Sequence, residues 1–383
     1  MNGSSVVLCA GVFITYATIS PYIAILIRSF GFSQTVTGLL LGAAEISAIA
    51  APFFFGAWAD KRSDYKTTLL SVLLLSLGSA AAIFWIKNPL VCALFIPLAS
   101  AGYRSTIPLS DAVITVNIGR TGNYGKIRAV GSIAFVVIML ALQLTPFYRP
   151  VNAVNIAFWN LITAALLLGV VLCLPVPFLR PSRKPDPVKP VHAATGKSRS
   201  IWTPVFIAGV AIIFLNRLAF SPLQSYLSLY AVEYLQWDAV GLLYAVSATS
   251  ETPLIFLSNK LINRFGALKL IAVTTAAVAV RLLCIALFPF KIMLITTQLL
   301  HSLTFGVFHP AAVAFIATNV PPEKRAVGMT VYMSLGTGFP TFIGNVAGGA
   351  IIEHFGYRTL FGSFIFFALL ALSLYFVCEK KRK

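Results

Sequence analysis

Long apolar runs that alternate with short polar clusters dominate this chain. Each run is about 20 residues long, which is the length an α-helix needs to cross the hydrocarbon core of a bilayer. The pattern therefore predicts an all-α membrane protein with twelve membrane-spanning helices. They are expected at 5–27, 35–58, 67–86, 89–116, 127–147, 152–174, 203–230, 239–260, 268–288, 291–318, 326–350 and 357–378.

A proline-rich basic stretch separates the first six runs from the last six. It holds six prolines and six Lys or Arg residues between Pro175 and Ser200. Proline lacks the N–H group that a helix requires, and the stretch contains too few apolar side chains to pack. The sequence therefore predicts an N-terminal six-helix bundle at 1–178, a cytoplasmic linker at 179–201 and a C-terminal six-helix bundle at 202–383.

The composition supports a surface that faces lipid. Hydrophobic residues make up 58% of the 383 residues and charged residues only 10%, whereas a soluble domain carries about 25% charged residues. A water-exposed surface cannot be built from so few charges. Lipid must therefore be the solvent for most of the surface.

The net charge of +18 raises the alternative of nucleic-acid binding. The basic residues, however, fall in short clusters between the apolar runs, with no stacking aromatic residues arranged around them. With the N-terminus inside, 21 of the 29 Lys and Arg residues lie in cytoplasmic segments and five in external ones. This asymmetry follows the positive-inside rule. We therefore expect both termini in the cytoplasm and no nucleic-acid partner.

A short motif follows the second run and recurs, with the same spacing, after the eighth. The first copy is Gly56-x-x-x-Asp60-Lys61-x-Ser63-x-x-Lys66, and the second, 203 residues later, is Asn259-x-x-x-Asn263-Arg264-x-Gly266-x-x-Lys269. A second pair of matching segments, Arg128–Gly131 and Arg325–Gly328, is 197 residues apart. These repeats predict a duplicated six-helix unit, as in transporters built from parallel repeats.

The first copy of the motif resembles the cytoplasmic loop signature of the major facilitator superfamily. In that family the loop acts in the cytoplasmic gate, because a carboxylate near helix ends can pair with Arg or Lys in one conformation and release it in another. The resemblance implies a gate that contains Gly56, Asp60, Lys61, Lys66, Asn263 and Arg264. Ser63 stands where glycine is usual, and Asn263 replaces the acidic residue. A solvated turn that carries topology charges is the alternative.

Three further segments resemble the group that contains the lactose permease, the nucleoside:proton symporters and the phenylpropionate permeases. They are Tyr124–Ser132, Glu251–Lys260 and Gln298–His309. The resemblance implies the major facilitator fold of two six-helix bundles, a small-molecule substrate, and protons as the coupling ion. No glycine- and proline-rich antiporter signature occurs in the fifth run, at 130–146, which argues against a drug:proton antiporter.

Eight Asp, Glu, Arg and His side chains lie inside the apolar runs, away from the ends of the runs. Charged groups inside a membrane cost about 2.5–3.5 kcal/mol each on insertion scales, so they persist mainly where they pair or line a wet cavity. Each predicted bundle holds both signs of charge, as a central polar cavity would require. The eight residues are Glu45, Arg104, Asp111, Arg217, Glu251, Arg281, His301 and His309.

The C-terminal bundle is expected to hold the proton-coupling residues. Glu251, Arg281 and His301 lie on the eighth, ninth and tenth runs, and the resemblance to the lactose permease implies that they form its coupling network. Thr304 stands where that permease has a second acidic residue. A carboxyl group in a low-dielectric site is protonated more readily than in water, so Glu251 is the expected proton carrier. A static salt bridge is the alternative.

Substrate binding is expected to involve both bundles. Asp111 and Arg128 resemble the carboxylate–Arg pair by which the lactose permease engages sugar. The remaining candidates are Glu45, Arg104, Arg217, Tyr16 and His309. Glu45 and Arg104 either shape substrate preference or pair with each other, and for His309 helix packing is an equally open alternative. Guanidinium groups suit a carboxylate and carboxylates suit sugar hydroxyls, so the substrate stays open between an aromatic acid, a sugar and a nucleoside.

The leading hypothesis is proton-coupled symport of a small organic solute by alternating access. Efflux or uniport is a second transport hypothesis, and a non-transporting membrane sensor on a transporter fold is a hypothesis of another class. HExxH, paired catalytic carboxylates at helical spacing and a P-loop are absent from the sequence, so neither an enzyme nor ATP hydrolysis is indicated. The five cysteines form no CxxC pair and are expected to be small core residues. We expect no cofactor or metal, a proton gradient as the energy source, and a monomer in a bacterial cytoplasmic (inner) membrane.

Overall fold

The computed structural model of the protein describes residues 3–62, 64–118, 124–145, 153–179 and 200–380. Every secondary-structure element in these ranges is helical. Eleven helices within them are long and apolar enough to span a membrane. The predicted all-α membrane architecture is therefore confirmed.

Ten of the spans match ten predicted runs one to one, and the eleventh covers two. The ten are α1 Gly3–Arg28, α2 Gln34–Arg62, α3 Tyr65–Ile86, α4 Pro89–Asn117, α5 Tyr124–Leu144, α6 Val154–Cys173, α7 Pro204–Tyr234, α8 Val240–Phe265, α9 Ala267–Leu287 and α10 Lys291–Asn319. The eleventh, Val327–Lys380, is 54 residues long and contains Gly356 with φ 81° and ψ 172°. This conformation breaks the helix, so the segment comprises α11 at 327–355 and α12 at 357–380, and the prediction of twelve helices holds.

Both copies of the repeated motif begin at a helix end rather than in a loop. α2 continues to Arg62 and α8 to Phe265, four and five residues beyond the predicted ends of these spans. Lys61 and Arg62 occupy the last turn of α2, where basic side chains interact favourably with the negative end of the helix dipole. The apolar pattern marks where lipid contact ends, whereas the helix itself extends into the polar region.

Glycine with positive φ is required at two tight helix connections. Gly266, with φ 81°, immediately precedes α9, and Gly356 separates α11 from α12. Side chains of L-amino acids are strained in this conformation, and glycine is not. Gly266 belongs to the second copy of the motif, whereas its counterpart Ser63 lies outside the described residues.

Three spans in the described part of the chain contain a π-helical segment. The segments are Tyr230–Tyr234 in α7, Ser302–Val307 in α10 and Tyr332–Gly338 in α11. Pro310 and Pro340 follow the second and third segments within three residues. Proline has no N–H group for the carbonyl four residues earlier, and its ring crowds that carbonyl. The backbone therefore widens before each of these prolines.

The chain divides into two compact units. Unit 1 comprises Met1–Pro187 and Asp238–Ala245, and unit 2 comprises Val188–Trp237 and Val246–Lys383. The predicted linker at 179–201 lies almost entirely outside the described residues. The predicted boundaries of the two bundles therefore stay a prediction.

Hydroxyl groups and close backbone approach hold unit 1 together alongside apolar packing. Thr18 Oγ1 on α1 lies 3.0 Å from Thr163 Oγ1 on α6, and Thr15 Oγ1 donates to Thr163 O at 3.1 Å. Polar groups at membrane depth must be satisfied within the protein. On the other side of the unit, Gly102 of α4 lies so near α3 that an added Cβ would meet Ser76 N at 2.8 Å.

Small residues bring α7 close to α11 in unit 2. A Cβ added at Gly344 on α11 would overlap Ser221 on α7, and one added at Gly348 would meet the ring of Tyr226 at 2.7 Å. In lipid, helices associate through such close van der Waals packing rather than through the hydrophobic effect. Ser221 follows Arg217 by four residues, so this contact lies one turn from Arg217 on the same face of α7.

Candidate functional site

Glu251 on α8, Arg281 on α9 and His301 on α10 lie together in unit 2. His301 Nε2 is 2.7 Å from Glu251 Oε1, and Arg281 Nη1 is 3.1 Å from His301 Nδ1. Arg281 is 1% exposed, whereas 19% of the Glu251 side chain and 22% of the His301 side chain are exposed. The three groups form a chain from a buried guanidinium to an accessible carboxylate. Their role in proton coupling stays a prediction.

The hydrogen-bond geometry assigns the tautomer of His301. A guanidinium has only donors, so the contact with Arg281 requires Nδ1 to accept. In a neutral imidazole the proton then sits on Nε2, which donates to Glu251 Oε1. A second ring proton would break the contact with Arg281, whereas Glu251 can bind a proton on Oε2 and keep its bond to His301. In this conformation the two ring contacts of His301 are therefore both made by the neutral imidazole, and the role of Glu251 as the proton carrier stays a prediction.

Neutral side chains extend the network beyond the predicted residues. Arg281 Nη2 donates to Gln298 Oε1 at 3.0 Å, and Arg281 Nη1 donates to Thr304 Oγ1 at 2.8 Å. Ser247 Oγ donates to the same oxygen of Gln298 at 2.9 Å. Sequence reasoning missed Gln298 and Ser247. A signal existed for Gln298, because it precedes His301 by three residues, a spacing that places both on one helix face.

Arg217 on α7 is buried beside this network. The residue is 4% exposed, and its guanidinium carbon lies 3.7 Å from the ring centre of Phe308 and 4.3 Å from that of Phe220. Nη2 donates to Thr304 O at 2.8 Å, and Nε donates to Asn216 Oδ1 at 3.1 Å. Aromatic faces attract a desolvated guanidinium, which explains how the chain holds this group inside the membrane. Thr304 contacts both buried guanidinium groups of unit 2.

His309 lies about two turns beyond His301 on α10. Its Nδ1 is 2.7 Å from the hydroxyl oxygen of Tyr332 on α11, and the two ring centres are 5.7 Å apart. Tyr332 is 1% exposed, whereas His309 is exposed. The position is compatible with both alternatives for His309, helix packing and ligand contact.

Unit 1 contains two carboxylate–guanidinium pairs. Arg104 Nη1 on α4 lies 2.5 Å from Glu45 Oε2 on α2, and only 12% of the Glu45 side chain is exposed. Arg128 Nη1 on α5 lies 3.5 Å from Asp111 Oδ1 on α4, and both of these side chains are more exposed. Of the two alternatives for Glu45 and Arg104, the structure shows the pairing. A carboxylate balances each guanidinium of these pairs.

Aromatic rings flank the second pair of unit 1. The guanidinium carbon of Arg128 lies 4.3 Å from the ring centre of Phe13. Tyr16, one turn along α1, has its ring centre 5.8 Å from that of Tyr103 and 6.3 Å from that of Phe135. Tyr16 therefore belongs to an aromatic cluster that includes Tyr103, the chain neighbour of Arg104 in the first pair.

The predicted gate residues of the first motif surround the junction of α2 and α3. Asp60 Oδ1 accepts a hydrogen bond from Tyr65 Oη at 2.8 Å, and the described residues offer it no Lys or Arg partner. Gly56 faces open space, Lys61 is exposed and Lys66 is partly buried. The charge pairing that the family resemblance implies for Asp60 is therefore replaced, in this conformation, by a phenol hydrogen bond.

The second motif presents exposed polar side chains at the end of α8. Asn263 and Arg264 are both exposed, and the guanidinium carbon of Arg264 lies 5.3 Å from the ring centre of Phe265. Asn263 carries no charge with which to hold a basic partner. The gate role of both motif copies stays a prediction.

Cysteine and metal-ligand chemistry adds no further site in the described part of the chain. Within it, no group of three or more His, Cys, Asp or Glu side chains is arranged to hold a metal ion. The five cysteines are free, and Cys9 and Cys92 are buried as expected. The expectation of a core position was wrong for Cys173, which is exposed. An apolar run in a membrane protein has a lipid face as well as a core face, and the run alone does not distinguish them.

Comparisons with known proteins agree with this architecture. The profile of the MFS_1 like family matches residues 8–363. A probable 3-phenylpropionic acid transporter of Escherichia coli (strain K12) is 26% identical over 96% of this chain and 94% of its own length. The uncharacterized transporter YwbF of Bacillus subtilis (strain 168) is 26% identical over 92% and 87%. The crystal structure of the nucleoside transporter NupG superposes with a TM-score of 0.77 at 17% identity, over 100% of both chains, which is a likeness of fold.

Proposed function

The chain belongs to the MFS_1 like family, and from this premise we propose that it carries a small organic solute across the membrane together with protons, by alternating access. Its family and its full-length relatives make it a multi-pass secondary transporter and not an enzyme. Proton coupling, the nature of the solute and the orientation belong to the proposal. The distribution of Lys and Arg supports cytoplasmic termini, and we propose a monomer in a bacterial inner membrane.

The observation that carries the proposal is the hydrogen-bonded chain of Glu251, His301 and Arg281 on three successive helices. An ionisable residue inside a membrane is a functional candidate, because its burial is costly. Here the carboxylate and the imidazole keep about a fifth of their surface exposed, so protons can reach them, while the guanidinium stays fixed and buried.

The charge balance of this network links protonation to solute binding. With Glu251 ionised, its negative charge offsets the positive charge of Arg281 through His301. A proton on Glu251 removes that offset, and Arg281 then attracts another electron-rich group more strongly. Solute binding that depends on Arg281 is thereby coupled to proton uptake by Glu251. Release of the proton on the other side of the membrane reverses both changes.

The proposal is tested by measuring transport in proteoliposomes with an imposed pH gradient. Labelled 3-phenylpropionate, maltose and uridine represent the three solute classes that the sequence leaves open. For the solute that is carried, Glu251→Gln should abolish accumulation against the gradient and preserve solute exchange, which needs no net proton movement. The Gln side chain keeps an oxygen that accepts from His301 Nε2, so the fold is spared.

A matched control variant shows whether an effect is specific to the carboxylate of Glu251 or follows from the removal of any negative charge in unit 2. Glu323 is an exposed acid of the same unit, in the short helical turn Pro322–Lys324, and Glu323→Gln should leave accumulation unchanged. Concentration of solute by the Glu251→Gln protein with the pH dependence of the native protein would remove Glu251 from the coupling role. Uptake that ignores the pH gradient in the native protein would favour uniport. The absence of transport for any solute that binds would favour a sensor.

A further inference from the structure

Charge is balanced in the two ion pairs of unit 1 and unbalanced in the buried cluster of unit 2. In unit 1 each guanidinium of the two pairs has a carboxylate partner, Glu45 for Arg104 and Asp111 for Arg128. The buried cluster of unit 2 holds two guanidinium groups, Arg217 and Arg281, and Glu251, bonded to His301, contributes a carboxylate. With His301 neutral, as its hydrogen bonds require, the cluster carries one excess positive charge.

Arg217 is the guanidinium group of this cluster whose hydrogen-bond acceptors carry no negative charge. Its hydrogen-bond acceptors are a backbone carbonyl, Thr304 O, and an uncharged amide, Asn216 Oδ1. Its further electrostatic neighbour is Tyr332, a neutral phenol. Among the described residues no carboxylate forms an ion pair with Arg217, although the residue is only 4% exposed. A buried cation without an anion is among the costliest arrangements in a folded protein.

Arg217 also has an N–H donor group for which the described residues provide no acceptor. A guanidinium has five N–H donors in a planar fork. Nε and Nη2 have acceptors, whereas Nη1 has none among the described residues. The second guanidinium is close, because Arg281 Nη1 donates to the hydroxyl of the same Thr304 whose carbonyl accepts from Arg217. Two guanidinium groups that both donate to Thr304 are near enough to bind one carboxylate between them.

We propose that the transported solute is a carboxylate, and that Arg217, together with Arg281, binds its carboxylate group beside Thr304. This inference rests on the proposed function and narrows its solute class. The relatives differ in the solutes that their names give, so they do not decide between an acid, a sugar and a nucleoside. The excess positive charge of this cluster does, because a neutral sugar or nucleoside would leave Arg217 without a counter-ion. An anion supplies the negative charge that Arg217 lacks.

The experiment compares acids with their uncharged amides on purified full-length protein. A panel of aromatic, aliphatic and hydroxy acids, each with its primary amide, is screened by thermal unfolding together with maltose and uridine. At least one acid should stabilise the native protein, and its amide, which has the same shape but no charge, should not. Arg217→Gln should weaken binding of that acid about 30-fold or more, the effect expected when one partner of a buried charge pair is removed.

Two further variants keep the test independent of folding. Arg217→Lys retains the charge without the planar fork and should bind the acid more weakly than the native protein but more tightly than Arg217→Gln. Arg358→Gln removes an exposed guanidinium of the same unit, whose Nε donates to Ala286 O, and should change binding less than two-fold. Should Arg217→Gln fail to fold, a native-like affinity of Arg217→Lys for the acid would overturn the proposal.

The outcomes separate this inference from the proposed function. Proton-driven uptake of a neutral sugar or nucleoside by the native protein would overturn the carboxylate assignment and leave proton coupling intact. An acid whose binding is unchanged in Arg217→Gln would also overturn it. Acid uptake that ignores the pH gradient but requires Arg217 would support this inference while removing proton coupling.

Discussion

The contact between Gly344 on α11 and Ser221 on α7 gives a stability prediction that can be worked out from the structure. A Cβ at position 344 would overlap Ser221 Oγ and lie 2.6 Å from Ser221 Cβ. This is about 0.8 Å closer than the 3.4 Å at which ordinary van der Waals contact begins. Both atoms are attached directly to helix backbones, so a side-chain rotation cannot relieve the overlap at Cβ. The substitution Gly344→Ala therefore forces α7 and α11 apart.

The expected magnitude combines two opposing effects. Overpacking a close contact costs about 1–3 kcal/mol, and the rigid Cβ overlap places this case near 3 kcal/mol. Removing glycine from a helix interior returns about 1 kcal/mol. The net loss of unfolding free energy is about 2 kcal/mol. For a folding unit the size of unit 2, this lowers the unfolding temperature by about 4–8 °C. Arg217 lies one turn from Ser221, so acid binding should weaken in the same variant.

A series of second substitutions makes the prediction specific. Ser221→Ala in the Gly344→Ala background removes the hydroxyl but keeps the 2.6 Å approach of the two Cβ atoms, so it should rescue little. Ser221→Gly removes both atoms and leaves Phe364 Cε1 at 3.5 Å as the nearest remaining contact, so it should restore stability to within about 1 kcal/mol of the native value. Tryptophan fluorescence during thermal unfolding in detergent measures each variant. Equal rescue by Ala and Gly, or no destabilisation by Gly344→Ala, would refute the steric reasoning.

Two predictions concern unit 1. Arg104→Gln leaves Glu45 buried without its partner and should destabilise by about 3–5 kcal/mol, whereas Glu45→Gln combined with Arg104→Gln should cost much less. Thermal unfolding of the two single variants and the double variant measures these losses, and a double-variant loss equal to the sum of the single losses would show that the pair is not coupled. Asp60→Asn should shift cysteine accessibility toward the inward-open state and slow transport, because it removes a gate charge but keeps an acceptor for Tyr65. The comparison variant Tyr65→Phe removes the hydrogen bond and keeps the charge. If thiol labelling and transport show Tyr65→Phe to be the more damaging, the hydrogen bond matters more than the charge.

The candidate site was only partly predictable from the sequence. Glu251, Arg281 and His301 stand out because charged groups are rare in apolar runs, and the structure brings these three together. Gln298 and Ser247 did not stand out, since neutral polar residues are common in membrane helices and cost little to bury when bonded within a helix. The sequence also does not reveal that Arg217 has no carboxylate partner among the described residues. Along the chain, Glu251 is the nearest acid inside the predicted runs and could have been that partner.

The sequence by itself determined the number of spans, their approximate positions and the membrane environment. These properties follow from local composition, because twenty successive apolar residues reach across a bilayer whatever they pack against. Only the tertiary structure decided which charges meet, that His301 accepts from Arg281 and donates to Glu251, and that Cys173 lies outside the core. Those facts depend on how each helix is rotated and how closely it crosses its neighbours. Rotation and crossing are set by contacts such as Gly344 with Ser221, which join residues more than a hundred positions apart. Such contacts cannot be inferred from the composition of any one apolar run.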